Sequence, residues 1–268
     1  MQGRVLVIAG SDSGGGAGIQ ADIKTITALG GYAATAISAL TAQDTNGVHG
    51  VMPVPAEFVG QQIDAVLDDL GADAFKTGML DRIDVIELVA QRIGNHPGIP
   101  YVLDPVMVAK GGARLLAKDA VGSLKRSLVL LASVITPNLP EAEVLCGRTI
   151  TSVADMHAAA SALLTLGVPA VLLKGGHLRG DRVVDLLATE AGVEAFEAPR
   201  IDTRHTHGTG CTLASAIAIG LAQGMTLRQS VRRGRDYVRR AILAAPGYGA
   251  GHGPLDHGVT VDLGRLGA

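Results

Sequence analysis

The chain has 268 residues, 47% of them hydrophobic and 18% charged, which is enough apolar material for a large core and excludes a disordered protein. A net charge of −2 supplies no basic field for nucleic acid or an anionic membrane, and two cysteines make no disulfide framework. No apolar run approaches the roughly 20 residues of a membrane helix, and the N-terminal apolar stretch lacks the length and cleavage site of a secretory signal, so a cytoplasmic protein is expected.

Short apolar runs alternate with helical patterns. Residues 4–9 (RVLVIA) read as a buried strand ending at Gly10, and apolar positions 19, 23, 26 and 29 space a helix. A strand over 32–40, a helix over 55–70, a strand over 72–76 and a helix over 81–93 follow. Residues 100–103 (PYVL) form a strand ending in Asp104-Pro105, and 117–131 are mostly helical. Residues 133–136 (SVIT) form a strand ending in Pro137-Asn138, and a helix over 139–145 tolerates Pro140 in its first turn. A helix over 152–166 leads to a strand over 168–174, ending in Gly175-Gly176. Residues 183–198 differ: two apolar runs around Glu190-Ala191-Gly192 read as a β-hairpin. Helices start at Thr209 and Leu227, and the glycine-rich 247–258 reads as a loop. The alternation predicts an α/β fold, a central mostly parallel sheet with helices on both faces, in one domain over 1–268.

In such sheets ligands bind beyond the carboxyl ends of the strands, and the polar and glycine-rich residues collect there. Gly10–Gly18 fits neither the Rossmann nor the Walker A spacing. It is either a ligand-contacting loop or a tight turn. Asp22, one turn into the next helix, reads as a solvated or dipole-stabilising acid, and Gln43 as a surface turn residue or a partner for a heteroaromatic edge. Asp104, Asn138 and Glu141 stand at successive strand ends with oxygen ligands suited to Mg²⁺, and Lys174 adds a positive charge for phosphate oxygens. Gly208, Thr209 and Gly210 precede a helix, where free amides can face an anion. Cys211 stands there either as a packing residue or as a thiol whose helix N-terminus favours the thiolate. The histidines show no zinc spacing, and the arginines of the last helix read as a solvated face.

Taken together, AGSDSGGGAGIQADIKT, KTGML, DPVM, TPNLPEAEVL, LLKGGH and HGTGCTLASAIA resemble the bacterial hydroxymethylpyrimidine/phosphomethylpyrimidine kinases of the ribokinase-like superfamily. The resemblance runs from Arg4 to about His257. It implies ATP and Mg²⁺, a homodimer, and two successive phosphorylations of 4-amino-5-hydroxymethyl-2-methylpyrimidine in thiamine biosynthesis. It places Gly10, Ala17, Asp22, Gln43, Met79 and Val106 around the pyrimidine, with Gln43 on the aminopyrimidine edge. It places Asp104, Asn138 and Glu141 on the Mg²⁺–phosphate side, Lys174 on the ATP phosphates, and Gly208, Thr209, Gly210 and Cys211 around the phosphoryl group. One position departs: Val231-Arg232-Arg233-Gly234-Arg235 has Arg235 where many relatives carry a lysine toward ATP. The end of the chain soon after this region implies no fused synthase domain. Pyridoxal kinase activity, a binding protein without turnover and a cysteine hydrolase remain as alternatives.

Overall fold

The computed structural model describes residues 2–107 and 120–262. Among them, nine strands form one sheet in the order β3-β2-β1-β4-β5-β6-β7-β8-β9. The strands are β1 (Arg4–Asp12), β2 (Tyr32–Gln43), β3 (Val48–Pro53), β4 (Ala74–Thr77), β5 (Tyr101–Leu103), β6 (Val134–Ile135), β7 (Ala170–Leu173), β8 (Arg182–Thr189) and β9 (Gly192–Pro199). Strands β2, β1, β4, β5, β6 and β7 pair in parallel, whereas β3 and the β8–β9 hairpin are antiparallel additions at the two edges.

Period-2 alternation sends side chains to opposite faces of the sheet. Leu6 and Ile8 of β1 join one core, and Val5, Val7 and Ala9 join the other. The first core is covered by α2 (Ala56–Asp69), α3 (Ile83–Gly94), α4 (Ala120–Ser123), α5 (Leu139–Cys146) and α6 (Val153–Leu164). The second is covered by α1 (Gly18–Ala28), α7 (Thr209–Ala222) and α8 (Leu227–Leu243). Every β-branched or leucine side chain of β5 to β7 is buried, as a strand covered on both faces requires.

Three elements differ from the sequence expectation. Strand β3 carries no apolar alternation, because it is an edge strand exposed over most of its length. Strand β1 continues through Gly10 to Asp12 across a bulge, so the first glycine loop is shorter than 10–18. Of the helix expected over 117–131, residues 117–119 lie outside the described residues. The rest is the single turn α4, followed by a wider turn over Leu124–Leu128 and a tighter one over Val129–Leu131.

The chain leaves β1 for β2 on one side, and β4 pairs on β1's other side. This reversal of strand order opens a crevice at the carboxyl ends of β1 and β4. The 247–258 segment crosses that end. His252 N–H donates to the Thr45 carbonyl at 2.8 Å, Gly251 N–H to Thr45 Oγ1 at 3.2 Å, and His207 N–H to the Gly253 carbonyl at 3.2 Å. His257 Nε2 lies 3.0 Å from Thr212 Oγ1, and Tyr237 Oη donates to the His257 carbonyl at 2.7 Å.

Candidate active site

Asp12, at the end of β1, organises the first loop. Its carboxylate accepts from the N–H groups of Gly14 at 2.8 Å, Gly16 at 3.1 Å and Ala17 at 2.8 Å. His207 Nε2 lies 2.9 Å from the same carboxylate. Burial works against the Asp12 charge, but His207 and the amides outweigh it and hold the carboxyl below its usual range. Gln43 stands beside this group, with one amide end 3.2 Å from His207 Nε2 and the other 3.3 Å from Thr41 Oγ1. Gly10 faces Met79, since a Cβ on Gly10 would lie 3.1 Å from Met79 Sδ. Gly10, Ala17, Gln43 and Met79 therefore surround one crevice. Val106 follows β5 and is half-buried.

Asp22 lies behind this wall. It is fully buried, and both carboxylate oxygens accept from Lys76 Nζ at 2.9 Å. Ser215 Oγ donates to Asp22 Oδ1 at 2.6 Å. Burial opposes the Lys76 charge, but Asp22 holds the ammonium above its usual range. Ser215 is four residues after Cys211 on α7, so the ion pair and the thiol share one helix face.

On the other side, Lys174 Nζ donates to Asp104 Oδ1 at 2.9 Å, and Thr136 Oγ1 donates to the same oxygen at 3.0 Å. The α7 N-terminus arrives opposite them. A Cβ on Gly210 would lie 3.2 Å from Lys174 Nζ and 3.7 Å from Asp104 Oδ2. Gly208 caps α7 with φ of 80°. A Cβ there would overlap the Gly16 carbonyl oxygen, so the first and last glycine loops touch backbone to backbone. Thr209 Oγ1 donates to the Thr206 carbonyl at 3.2 Å.

Asn138 and Glu141 have a local task as well. Asn138 Oδ1 accepts from Glu141 N–H at 2.9 Å, and Glu141 Oε2 accepts from Asn138 N–H at 2.8 Å, a capping box at the start of α5. Burial raises Glu141 to about 7 against the pull of Lys174. No group of three or more His, Cys, Asp or Glu side chains that could hold a metal occurs among the described residues. Asp104 and Glu141 still fit Mg²⁺, a hard cation commonly bound through one or two carboxylates together with water and substrate phosphates.

Three expectations change. Asp22 is not a solvated acid near a helix start but the fully buried partner of Lys76. Cys211 does not sit as a thiolate: burial pushes its thiol up to about 12, with Lys76 opposing and Asp22 and Asp104 reinforcing the shift. Arg235 has its guanidinium committed to Asp185 Oδ2 at 2.7 Å and to the Phe196 carbonyl at 2.9 Å, over the Phe196 ring. Asp185 Oδ1 in turn accepts from Gly175 N–H at 2.8 Å. Arg235 thus braces the loop after Lys174. Sequence reasoning gave no role to Asp12, Lys76, His207 or Ser215. All four lie within the runs that carry the resemblance, but nothing local in the sequence marks them as partners.

The family model described as phosphomethylpyrimidine kinase matches residues 12–256. The chain is 50% identical over 256 residues to the thiamine biosynthesis bifunctional protein ThiED of Geobacter sulfurreducens. That match covers 96% of this chain and 52% of the relative, so the chain spans about half the length of that protein. It is 48% identical to the hydroxymethylpyrimidine/phosphomethylpyrimidine kinase of Bacillus subtilis, covering 95% of this chain and 94% of that one. An ADP complex of Bacillus subtilis pyridoxal kinase superposes with a TM-score of 0.91 at 37% identity, covering 97% of this chain and 98% of the other. The match of the family model across both glycine loops and every strand end between them, together with near-full-length identity, shows that the chain belongs to the phosphomethylpyrimidine kinase family.

Proposed function

We propose that the chain is an ATP-dependent kinase of thiamine biosynthesis that phosphorylates 4-amino-5-hydroxymethyl-2-methylpyrimidine and then converts the monophosphate to the diphosphate. The observation that carries this reading is the convergence of Lys174, Asp104 and Gly210 across the crevice from Gln43 and Met79. A phosphoryl group needs fixed positive charge and free amides on one side, and an acceptor held in line on the other. Lys174 and the Gly208–Cys211 amides supply the first. Gln43, Met79, Gly10, Ala17 and Val106 line the second.

Asp104, Glu141 and Asn138 would hold Mg²⁺, which supplies charge neutralisation between the phosphates when bound. Lys174 and Thr136 orient Asp104 for that task, and Lys174 itself faces the transferring group. Thr209 and Asn138 would contact ATP, with Arg235 acting through the Gly175 loop. Cys211, a neutral thiol, would place the acceptor oxygen beneath the glycine amides.

The proposal includes a single kinase domain over 1–268, a cytoplasmic location and a homodimer. The β2–β3 edge exposes Leu40, Val51 and Met52, an apolar surface suited to a second copy. No helix among the described residues is long and apolar enough to cross a membrane.

The test is an assay of ATP-dependent phosphate transfer to the pyrimidine alcohol, its monophosphate and pyridoxal, side by side. Both pyrimidines are expected to react, with the alcohol preferred over pyridoxal in kcat/KM. Reaction with neither pyrimidine would overturn the reading. The superposition on pyridoxal kinase favours pyridoxal as the second acceptor to examine, since it also offers a hydroxymethyl group on a nitrogen heteroaromatic ring.

A further inference from the structure

Gln43 stands between two groups whose own hydrogen bonds leave it one direction. On one side is His207, buried and 2.9 Å from Asp12 Oδ2. The Asp12 carboxylate already receives three backbone N–H groups, from Gly14, Gly16 and Ala17. A carboxylate so served is ionised and only accepts. His207 Nε2 therefore carries a hydrogen and offers it to Asp12. On the other side, Thr41 Oγ1 donates its one hydrogen to the Ser11 carbonyl at 2.9 Å. Toward Gln43 it has only lone pairs left.

The ends of the Gln43 amide lie 3.2 Å from His207 Nε2 and 3.3 Å from Thr41 Oγ1. Amide oxygen and nitrogen are nearly equal in size, so the surrounding bonds decide which is which. With Nε2 placed against His207, two N–H donors would face each other, and Oε1 would meet a Thr41 oxygen with no hydrogen to give. Turned over, the amide suits both: Oε1 shares the His207 Nε2 hydrogen with Asp12 in a three-centre bond, and Nε2 donates to Thr41.

We infer that the Asp12–His207 pair fixes the direction of the Gln43 amide, and with it the order of acceptor and donor offered to the edge of the substrate ring. The inference rests on the pyrimidine kinase reading. The free lone pair of Oε1 then suits an exocyclic amino group, and the second hydrogen of Nε2 suits the neighbouring ring nitrogen. The ring cannot simply turn over, because its hydroxymethyl group must point to the Gly208–Cys211 amides. A 4-oxo ring presents the reverse order, a carbonyl and a ring N–H. Accepting it would require the amide to turn against His207 and Thr41 together. His207 is thus a positioning residue that sets specificity through Gln43.

The experiment compares kcat/KM for the 4-aminopyrimidine alcohol and its 4-oxo analogue in the wild type and in His207→Phe. Loss of the ring N–H is expected to shrink the amino-over-oxo preference about tenfold or more, mainly through KM. General damage to the loop would lower both substrates alike and leave the ratio intact, so an unchanged ratio overturns the inference. A second measurement needs no variant and no turnover. Nuclear Overhauser contacts from the Gln43 side-chain NH2 protons are expected to the Thr41 side chain, and contacts to the His207 ring instead would overturn the assigned direction. If the wild type phosphorylates neither pyrimidine, the functional reading fails while this second measurement still tests the amide.

Discussion

A helix N-terminus favours a thiolate, yet burial pushes the Cys211 thiol up to about 12, so it is neutral at pH 7. A neutral thiol can position an acceptor but cannot take its proton. Cys211→Ala is therefore expected to lower kcat on the alcohol and on the monophosphate by similar factors, about 10- to 100-fold. Steady-state rates with each acceptor check this, and a loss confined to the alcohol would restore a proton-accepting role. The buried Asp22–Lys76 pair pulls on the thiol in opposite senses: Lys76 favours its ionisation and Asp22 opposes it. Alkylation of Cys211 by iodoacetamide at fixed pH, with Cys146 replaced by serine, is expected to speed up about tenfold in Asp22→Asn and to slow in Lys76→Met. A packing role alone would move both rates the same way. None of this was legible in the sequence, where Asp22 is one acid near a helix start and Lys76 one lysine at a strand end. The fold brings Asp22 to Ser215 across 193 positions, and Asp12 to His207 across 195.

The start of α5 shows how one short run can hold two messages. Asn138-Leu139-Pro140-Glu141 offers oxygen ligands, and the same spacing also spells a capping box. Asn138→Ala is expected to cost about 1 kcal/mol in urea unfolding through loss of the cap. Asn138→Ser keeps a capping hydroxyl and should leave the midpoint nearly unchanged while raising KM for MgATP. A wild-type KM in that variant would confine Asn138 to the cap. The parallel strands and the helices between them were legible because buried strands and amphipathic helices leave strong periodic patterns. Strand β3 was not, because an exposed edge is held by its pairing with β2 and leaves no apolar rhythm.

Over the whole molecule, the alternation of strand and helix carried the architecture, and the rule about strand ends carried the location of the site. What it could not carry was the closing segment 247–258, which has almost no apolar pattern and is held by hydrogen bonds to Thr45, His207 and Thr212. Burial and the nearby Lys24 push His257 in this segment down to about 4, against about 6.5 in an unfolded chain. Between those values the unfolded chain binds a proton that the folded chain refuses. The stability involved is therefore complete above pH 6.5 and is lost as the pH falls toward 4, about 3 kcal/mol in all. Urea titrations at pH 7 and 4.5 should show this loss in the wild type and a smaller one in His257→Gln; equal losses would assign the acid sensitivity elsewhere. The contact of Gly16 with Gly208 has a consequence in time. Its two sides lie far apart in the sequence, and a ribosome adding about 5–20 residues per second makes them on the order of ten seconds or more apart. The substrate crevice cannot close until Gly208 has been made and has left the ribosome, so a nascent chain carrying only the first glycine loop has half a site.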